Sequence, residues 1–356
     1  MRTKIKLFLF PLLFTSALTF TLFSCSSNPT EPPPPPLLVE PDSTTQNFTF
    51  ETFEFGDGFS SSYLNDVWVF NENNIWAVGD IGPDNGEIGT NILRWNGSKW
   101  FRFEREFVST GFTGIWAVDS NNIYFASGVI RKYENGAVKT IDLTHLTFSN
   151  NQSVNKLWGS SENNLYGVGR NGIIVHYDGV NWTKIDFDTQ WYFYGITGDP
   201  KKGIAYAFAQ NTSDIRIIVE LNNSTATIIH QSQQITAVKA NAINFIDSTL
   251  YLAGSDFSST LLWKFNPQTK QADSLYALPP TTAIDVISGE KKIDMFYWGE
   301  DYNAGKMVHY NGKRYKIFDL SKTNEIRGGA SSHNNISAVA GQSNNKGFVI
   351  IVKRMK

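Results

Sequence analysis

The chain has 356 residues, a formal net charge of −2, 41% hydrophobic residues and a single cysteine. A nearly neutral chain without a basic stripe is not typical of nucleic-acid binders. One cysteine also excludes disulfides within the chain and metal sites built from several thiolates. The folded part must therefore be held together by its hydrophobic core.

Residues 1–24 have the pattern of a secretory signal. Arg2, Lys4 and Lys6 form a basic start, and an almost wholly apolar run follows from 7 to 23. This run is short for a membrane span, which needs about 20 apolar residues. An ordinary cleaved signal and an uncleaved membrane helix are the alternatives to a lipoprotein signal.

The signal ends at the only cysteine. Leu22-Phe23-Ser24-Cys25 resembles the lipobox of bacterial lipoproteins, with an aliphatic residue three positions before the cysteine and a small residue directly before it. The resemblance implies cleavage before Cys25 and a diacylglycerol on its thiol, because the thiolate is the nucleophile. Two or three acyl chains make such an anchor stable. Ser26 and Ser27 follow, and by the same resemblance they imply sorting to the outer membrane.

Residues 25–47 are predicted to form a lipid-anchored tether. The segment contains Pro29, Pro32 to Pro36 and Pro41 among polar residues. Proline-rich runs adopt an extended polyproline II conformation of about 3.1 Å per residue and act as semi-rigid spacers. The rest of the chain is poor in proline, as paired strands require.

A repeat begins after the tether. Three segments show it, namely LNDVWVFNENNIWAVGD from Leu64, FTGIWAVDSNNIYFASG from Phe112 and VNKLWGSSENNLYGVGRNG from Val154. Each continues with two more short runs around a turn such as Asn96-Gly97 or Asp178-Gly179, and these turns recur every 39 to 45 residues. Asn-Gly and Asp-Gly supply the positive φ of a two-residue hairpin turn. Four strands in such a period are typical of a propeller blade.

We therefore predict an all-β fold, a single β-propeller over residues 48–356 with seven blades of four antiparallel strands. The units are 64–106, 112–147, 154–188, 191–231, 235–276, 282–321 and 326–356. The fourth and fifth are the most degenerate, so six or eight blades stay open. The last unit lacks a fourth strand, whereas residues 48–55 alternate apolar and polar side chains and belong to no unit. We predict that 48–55 is the closing strand of the last blade.

Aromatic residues recur at fixed places in the repeat. Trp68, Trp116 and Trp158 occupy one position of the first strand in three units. An exposed ring of tryptophans would suit sugars or a peptide, but a position repeated in this way favours packing between neighbouring blades. Trp95 and Trp100 are expected to pack across a hairpin.

Candidate ligand-face residues lie in the links between blades and in the loops between second and third strands. They are Asp80, Asp84, Glu87, Trp191, Tyr192, Asp256, Glu300, Asp301 and Tyr302. We predict an acidic face with an aromatic wall, against the alternative of ordinary solvated loops. The oxygen ligands in residues 80–87 suit a structural calcium ion, but they lack the alternation of an EF-hand loop. No metal and no cofactor is therefore predicted.

Catalytic motifs are absent from the sequence. The five histidines show no HxH or HExxH spacing, and neither a GxSxG elbow nor a P-loop occurs. His176 and His309 repeat one position of the unit, which favours a structural role. No catalytic residue is predicted.

The segment LWGSSENNLYGVGRNGIIVHYDGVNWTKI, residues 157–185, resembles the repeat of bacterial exported propeller lipoproteins, related in pattern to BNR-type and photosystem-assembly-factor-like propellers. The resemblance implies the fold, whereas propellers host many functions. The leading hypothesis is a membrane-anchored, non-catalytic module that binds or scaffolds a protein or glycan at the bacterial cell envelope. The alternatives are a carbohydrate-active enzyme, glycosidase- or glycosyltransferase-like, and a structural part of an envelope complex. Two or three carboxylates converging with an arginine in the central pocket would favour the enzyme.

Overall fold

The computed structural model describes residues 43–57, 61–84, 86–103, 111–149, 151–232, 239–255, 260–278, 282–301, 304–322, 326 and 328–355. These residues form seven four-stranded antiparallel sheets. In this part of the chain no helix is long and apolar enough to cross a membrane. The predicted signal, Cys25 and the tether up to residue 42 lie outside the described residues.

The first four blades follow one another along the chain. Blade 1 contains β2 (Tyr63–Asn71), β3 (Asn74–Ile81), β4 (Thr90–Trp95) and β5 (Trp100–Arg102). Blade 2 contains β6 (Gly114–Asp119), β7 (Asn122–Ala126), β8 (Ile130–Glu134) and β9 (Ala137–Thr140). Blade 3 contains β10 (Ser153–Ser161), β11 (Asn164–Arg170), β12 (Ile174–Tyr177) and β13 (Trp182–Lys184). Blade 4 contains β14 (Trp191–Asp199), β15 (Ile204–Asn211), β16 (Arg216–Asn222) and β17 (Thr225–Gln231).

The last three blades complete the ring. Blade 5 contains β18 (Lys239–Ile246), β19 (Thr249–Ser255), β20 (Thr260–Asn266) and β21 (Gln271–Leu278). Blade 6 contains β22 (Ala283–Lys291), β23 (Asp294–Glu300), β24 (Ala304–Tyr310) and β25 (Tyr315–Lys322). Blade 7 contains β26 (Ala330–His333), β27 (Ile336–Ser343) and β28 (Lys346–Arg354), and its fourth strand is β1 (Phe48–Phe55).

The predictions of seven blades and of an N-terminal closing strand are confirmed. β1 pairs with β28 over its whole length, from Phe48 opposite Arg354 to Phe55 opposite Gly347. β2 of blade 1 packs in turn against β26 and β27 of blade 7, so the ring is continuous. Hydrogen bonds between the two ends of the folded chain thereby protect an edge that would otherwise be open.

The strand order defines two faces of the propeller. We call the side with the blade-to-blade links and the loops between second and third strands the loop face. The opposite side, with the turns between first and second and between third and fourth strands, is the turn face. The described chain begins on the turn face of blade 6, where Thr44 Oγ1 donates to the Ile293 carbonyl at 3.0 Å and Asn311 Nδ2 donates to the Thr44 carbonyl at 3.0 Å.

The repeated tryptophans pack between blades, as predicted. An ideal Cβ on Gly159 would lie 2.8 Å from the Trp116 ring, and one on Gly198 would lie 2.4 Å from the Trp158 ring. Each ring therefore occupies space that the next blade leaves open with a glycine. Trp68 likewise packs against the apolar clusters formed by blades 1 and 2 and by blades 2 and 3.

The later blades replace these rings with small polar residues at the same register, which are Thr197, Asn244, Ser288 and Ser332. Hydrogen bonds take over the contact between blades. Thr197 Oγ1 accepts from the Phe245 backbone N–H at 3.0 Å, and Ser332 Oγ donates to Ser288 Oγ at 2.8 Å. One repeat position thus joins blades by ring packing in one half of the propeller and by hydrogen bonds in the other half.

The hairpin turns differ from the prediction. Two residues connect the strands at Asn135-Gly136, but Trp95 pairs with Trp100 and Tyr177 pairs with Trp182, so four residues connect these strands. The prediction of two-residue turns is therefore wrong at Asn96-Gly97 and Asp178-Gly179. The reason is side-chain capping, because Asn96 Oδ1 accepts the backbone N–H groups of Ser98 at 3.0 Å and Lys99 at 2.9 Å.

The repeated histidines are structural. His176 Nε2 lies 2.7 Å from Asn164 Oδ1, and His309 Nε2 lies 2.7 Å from Asp294 Oδ1 at the equivalent place. Burial lowers the pKa of both imidazoles. Each ring therefore joins the third strand of its blade to the start of the second.

Candidate functional site

The first strands of the seven blades surround a central channel of about 500 Å³. A β-bulge near the loop-face end interrupts several of these strands, for example between Leu64 and Asp66 and between Phe193 and Gly195. A bulge turns an extra side chain out of the ladder. The channel mouth on the loop face is therefore lined by residues that the regular repeat does not specify.

An ion pair crosses one blade inside the channel. Lys156 Nζ of blade 3 lies 3.1 Å from Asp66 Oδ2 of blade 1. The side chain passes Gly114 of blade 2, where an added Cβ would lie 3.4 Å from Lys156 Cδ and 2.7 Å from a backbone oxygen. Asp66 also accepts the backbone N–H of Ile115 at 3.3 Å, so its charge is compensated from two sides.

A row of two arginines and three aromatic rings runs from Arg170 of blade 3 across the loop-face edge of blade 4, and we call it the stacked ladder. Arg170 Cζ lies 5.5 Å from the Tyr192 ring, whose centroid is 4.4 Å from that of Tyr194. Tyr194 is 6.4 Å from Phe208, and Arg216 Cζ is 5.9 Å from Phe208. Tyr194 and Phe208 also line the channel. The ladder therefore forms one wall of the channel mouth.

The electrostatics of the ladder follow from its contacts. The hydrogen bond and charge of Tyr192 raise the pKa of Arg170 further, so this guanidinium stays charged. Partial burial is the main cause of the raised pKa of Tyr194, which keeps its hydroxyl protonated. Burial lowers the pKa of Arg216, opposed by Asp214 at 3.8 Å. The ladder thus combines the protonated phenol of Tyr194 with two cations.

The predicted aromatic wall needs a correction at Trp191. The alternation of β14 sends Trp191 and Phe193 into the core, where they are 6% and 0% exposed. Tyr192 is half-buried, and Asn155 Nδ2 donates to its hydroxyl at 2.9 Å. Tyr194 is 49% exposed because the bulge turns it outward. The wall consists of Tyr192 and Tyr194, whereas Trp191 is a core residue.

The acidic candidates of blade 1 lie on the loop face, Asp80 near the end of β3 and Asp84 and Glu87 in the β3–β4 loop. Asp84 and Glu87 pair through their backbones, and Arg102 Nη2 lies 3.6 Å from Asp84 Oδ2. Asn91 Nδ2 donates to Asp80 Oδ1 at 3.4 Å. Among the described residues, no group of three or more histidine, cysteine or acidic side chains is placed to hold a metal ion.

The acidic candidates of blade 6 lie in the β23–β24 loop, also on the loop face. Asp301 Oδ2 lies 2.9 Å from Lys306 Nζ, and its Oδ1 accepts the Ala304 backbone N–H at 2.9 Å. Glu300 is half-buried at the end of β23. Blade 7 separates this set from that of blade 1. Asp256 and Tyr302 lie outside the described residues.

The channel carboxylates do not converge with an arginine in the part of the lining that the structure describes. Asp66 pairs with Lys156, whereas Glu290 lies at the turn-face end, where His333 Nδ1 is 2.8 Å from its Oε1. Asp285 lies in the bulge at the loop-face end of β22. The arrangement that would favour a glycosidase is therefore not seen among these residues.

The residues that sequence reasoning missed are Arg170, Phe208 and Arg216. Arg170 directly follows the glycine that closes the second strand of blade 3, and Arg216 begins the third strand of blade 4. In this repeat both places lie on the loop face. Their place on the loop face could have pointed to both arginines. Their contacts with Tyr192 and Phe208, however, depend on which rings the fold brings next to them.

No protein-family model matches the sequence, and no curated protein matches it. Solved structures do share its fold. YCF48 bound to a D1 peptide superposes with a TM-score of 0.61 at 10% identity, covering 86% of this chain and 95% of that chain. The WD40 β-propeller domain of Doa1 gives 0.61 at 12% identity, covering 88% and 99%. A chain of the mitotic checkpoint complex gives 0.59 at 13% identity, covering 86% and 95%.

Fold and channel together define the protein as a seven-bladed β-propeller. At identities of 10 to 13%, these likenesses establish the fold alone.

Proposed function

We propose that this propeller is a non-catalytic module that binds a protein partner at the channel mouth of its loop face. We further propose that a lipid on Cys25 holds it at the bacterial cell envelope, in the outer membrane. The stacked ladder is the observation that carries the binding proposal. It places a half-exposed tyrosine and a charged arginine at a concave opening, and both residue types are enriched where proteins dock.

Structural neighbours support a peptide or protein as the occupant. The solved YCF48 structure contains a bound D1 peptide, and another neighbour belongs to the mitotic checkpoint complex. Both share only the propeller fold with this chain, so they support the kind of partner and not its identity. The channel carboxylates also favour a binding function over catalysis, because Asp66 is already paired with Lys156.

The envelope location rests on the sequence before residue 43. A basic start, an apolar run and a cysteine after Leu22-Phe23-Ser24 support export and lipidation. The start of the described chain is bonded to blade 6 on the turn face, at Thr44 and Asn311. The described chain thus begins on the face opposite the one at which we propose that a partner docks.

Partner capture tests the binding proposal. A photoreactive benzoylphenylalanine replaces Tyr194 in cells that express the full chain, and the matched control carries it at Val180. Val180 is 78% exposed in a third-to-fourth-strand turn on the turn face. We expect one partner to crosslink at position 194 and not at 180. Equal crosslinking at both positions, or at neither, contradicts docking at the loop face.

The anchor is tested separately. Cys25→Ala should abolish acylation, measured by incorporation of labelled palmitate, and should either release the chain from membranes or leave its signal uncut. Ser24→Ala, which keeps both the thiol and a small residue before it, is the control. Unchanged processing and membrane partition of Cys25→Ala would defeat the proposal of lipidation without affecting the proposal of binding.

A further inference from the structure

We infer that the stacked ladder recognises a carboxylate of an acidic peptide segment, with Arg170 as the anchoring cation. This inference rests on the proposed binding function and names the chemistry of its partner. Its support comes from the exposed surfaces of the ladder, the hydrogen-bond donors on those surfaces and the charged groups beside them.

The rings of the ladder contact one another and the two guanidinium groups. Arg170 Cζ lies 5.5 Å from the centroid of Tyr192, which lies 4.4 Å from that of Tyr194 with the ring planes tilted by 32°. Phe208 is only 3% exposed, under Arg216. Among the three rings only Tyr194 is exposed, at 49%, so the ladder offers one accessible ring together with hydroxyl and guanidinium donors. These donors favour a ligand held by hydrogen bonds over a glycan held by stacking on several rings.

The open edges present donors. Arg170 is exposed at the surface end of the ladder, and its Cζ lies 5.5 Å from the centroid of the Tyr192 ring, within cation–π distance. The Tyr192 hydroxyl accepts from Asn155 Nδ2 at 2.9 Å, so its own proton remains available for donation. Tyr194 adds a second phenol whose hydroxyl is protonated. A planar guanidinium beside two phenol donors matches the two oxygens of a carboxylate.

Charge selects the Arg170 end of the ladder. Arg216 lies 3.8 Å from Asp214, and the other cation of the channel mouth, Lys156, lies 3.1 Å from Asp66. No carboxylate lies within ion-pair distance of Arg170 in the described part of the chain. An incoming carboxylate would therefore gain an ion pair at Arg170, whereas at Arg216 it would meet the charge of Asp214.

The carboxylate has two sources in a peptide, an acidic side chain or a free C-terminus. Three fluorescein-labelled pools of degenerate hexapeptides separate them. The first has a central Glu-Glu pair and an amidated end, the second a central Gln-Gln pair and a free end, and the third a central Gln-Gln pair and an amidated end. Binding to the full chain in detergent is measured by fluorescence anisotropy at two salt concentrations.

We expect the first or second pool to bind at least tenfold more tightly than the third, with an affinity that falls as salt rises. Arg170→Ala should lower this affinity at least tenfold, and Arg170→Lys should restore only part of it, because an ammonium cannot make the bidentate contact. The matched control is Lys99→Ala, which removes a stacked cation from the Phe101 ring on the turn face. That variant should bind like the parent.

Equal affinity for all three pools, or an unchanged affinity in Arg170→Ala, would overturn the inference. Stronger competition by oligogalacturonate than by either acidic pool would also overturn it, in favour of an acidic glycan. The crosslinking experiment separates a failure of this inference from a failure of the broader proposal. If the partner captured at position 194 crosslinks equally well in Arg170→Ala, carboxylate recognition is wrong and docking at the loop face stands.

Discussion

A polar clasp joins the start of the described chain to blade 6, and it can be tested quantitatively. Gln46 Nε2 donates to the His309 carbonyl at 2.9 Å and lies 3.2 Å from His309 Nδ1, while its Oε1 accepts from Arg314 Nε at 3.2 Å. Asp294 Oδ1 lies 2.7 Å from His309 Nε2. Because a carboxylate accepts, the neutral ring carries its proton on Nε2 and offers Nδ1 to Gln46 as an acceptor.

Gln46→Ala removes the partner of a fully buried nitrogen. The His309 side chain has no exposed surface, so water reaches Nδ1 only if the clasp opens. A buried acceptor without a donor costs about 1–3 kcal/mol, and Gln46 itself is half-buried. We expect the free energy of unfolding to fall by about 1–2 kcal/mol at pH 7.5. The matched control is Gln190→Ala, where an exposed amide bonds to Asp188 at 2.6 Å and the change should stay below about 0.5 kcal/mol.

The pH dependence gives a sharper test. Burial lowers the pKa of His309, so the native chain binds fewer protons than the unfolded chain just below the unfolded pKa of about 6.5. This group therefore stabilises the fold above that pKa, and its contribution is lost as the pH falls through the lowered one. Gln46→Glu places a second carboxylate on Nδ1 and should raise the pKa. That variant should therefore lose less stability than the parent as the pH falls.

Urea unfolding followed by tryptophan fluorescence, at pH 5.5 and pH 8, measures both effects. The stability of Gln46→Glu relative to the parent should improve at pH 5.5, and the other histidines cancel in this difference. NMR titration of His309 should show its pKa rising in Gln46→Glu. A cost of Gln46→Ala no larger than that of Gln190→Ala, or the same pH slope for Gln46→Glu and the parent, would refute the assigned pairing.

Three further predictions concern the ring itself. Gly198→Ala should lower the free energy of unfolding by about 1–3 kcal/mol, because the new methyl would lie 2.4 Å from Trp158. Calorimetry should show partial recovery of this stability when Trp158→Phe is added. An unchanged unfolding midpoint in Gly198→Ala would contradict the packing. Lys156→Met should cost about 1–2 kcal/mol by leaving Asp66 without its cation, and a double-mutant cycle with Asp66→Asn should give a nonzero coupling energy. Deleting residues 48–55 should abolish the cooperative unfolding transition, because β28 loses its outer partner; a sharp transition like that of the parent would contradict closure by β1.

The parts of the fold that could be predicted are those that every blade repeats. The glycine that closes the second strand recurs because a Cβ there would meet the first strand, for instance 2.1 Å from the Tyr63 carbonyl oxygen at Gly79 and 1.8 Å from the Ala283 carbonyl oxygen at Gly299. Such a local constraint leaves a mark in the sequence at the same spacing each time. The period, the strands and the missing strand of the last blade follow from these marks.

The candidate site was predictable only in outline. The strand order was enough to identify the loops of the loop face, and Tyr192 was among the predicted residues. Trp191 was misplaced because strand alternation, and not position in a link, decides which aromatic of β14 enters the core. The contacts of Arg170 and Arg216 could not be predicted, since each stacks on a ring that the chain supplies from another strand.

The sequence by itself predicted the repeat and its closing strand, because alternation and turn residues mark both, but it left the number of blades between six and eight. It also predicts a signal segment and lipidation of Cys25, because such a pattern depends only on neighbours along the chain. The tertiary structure alone decided how blades meet at the channel. The ion pair from Lys156 to Asp66 and the stacked ladder join residues of different strands and blades. Their geometry is set by the angle between adjacent sheets, which no local pattern specifies.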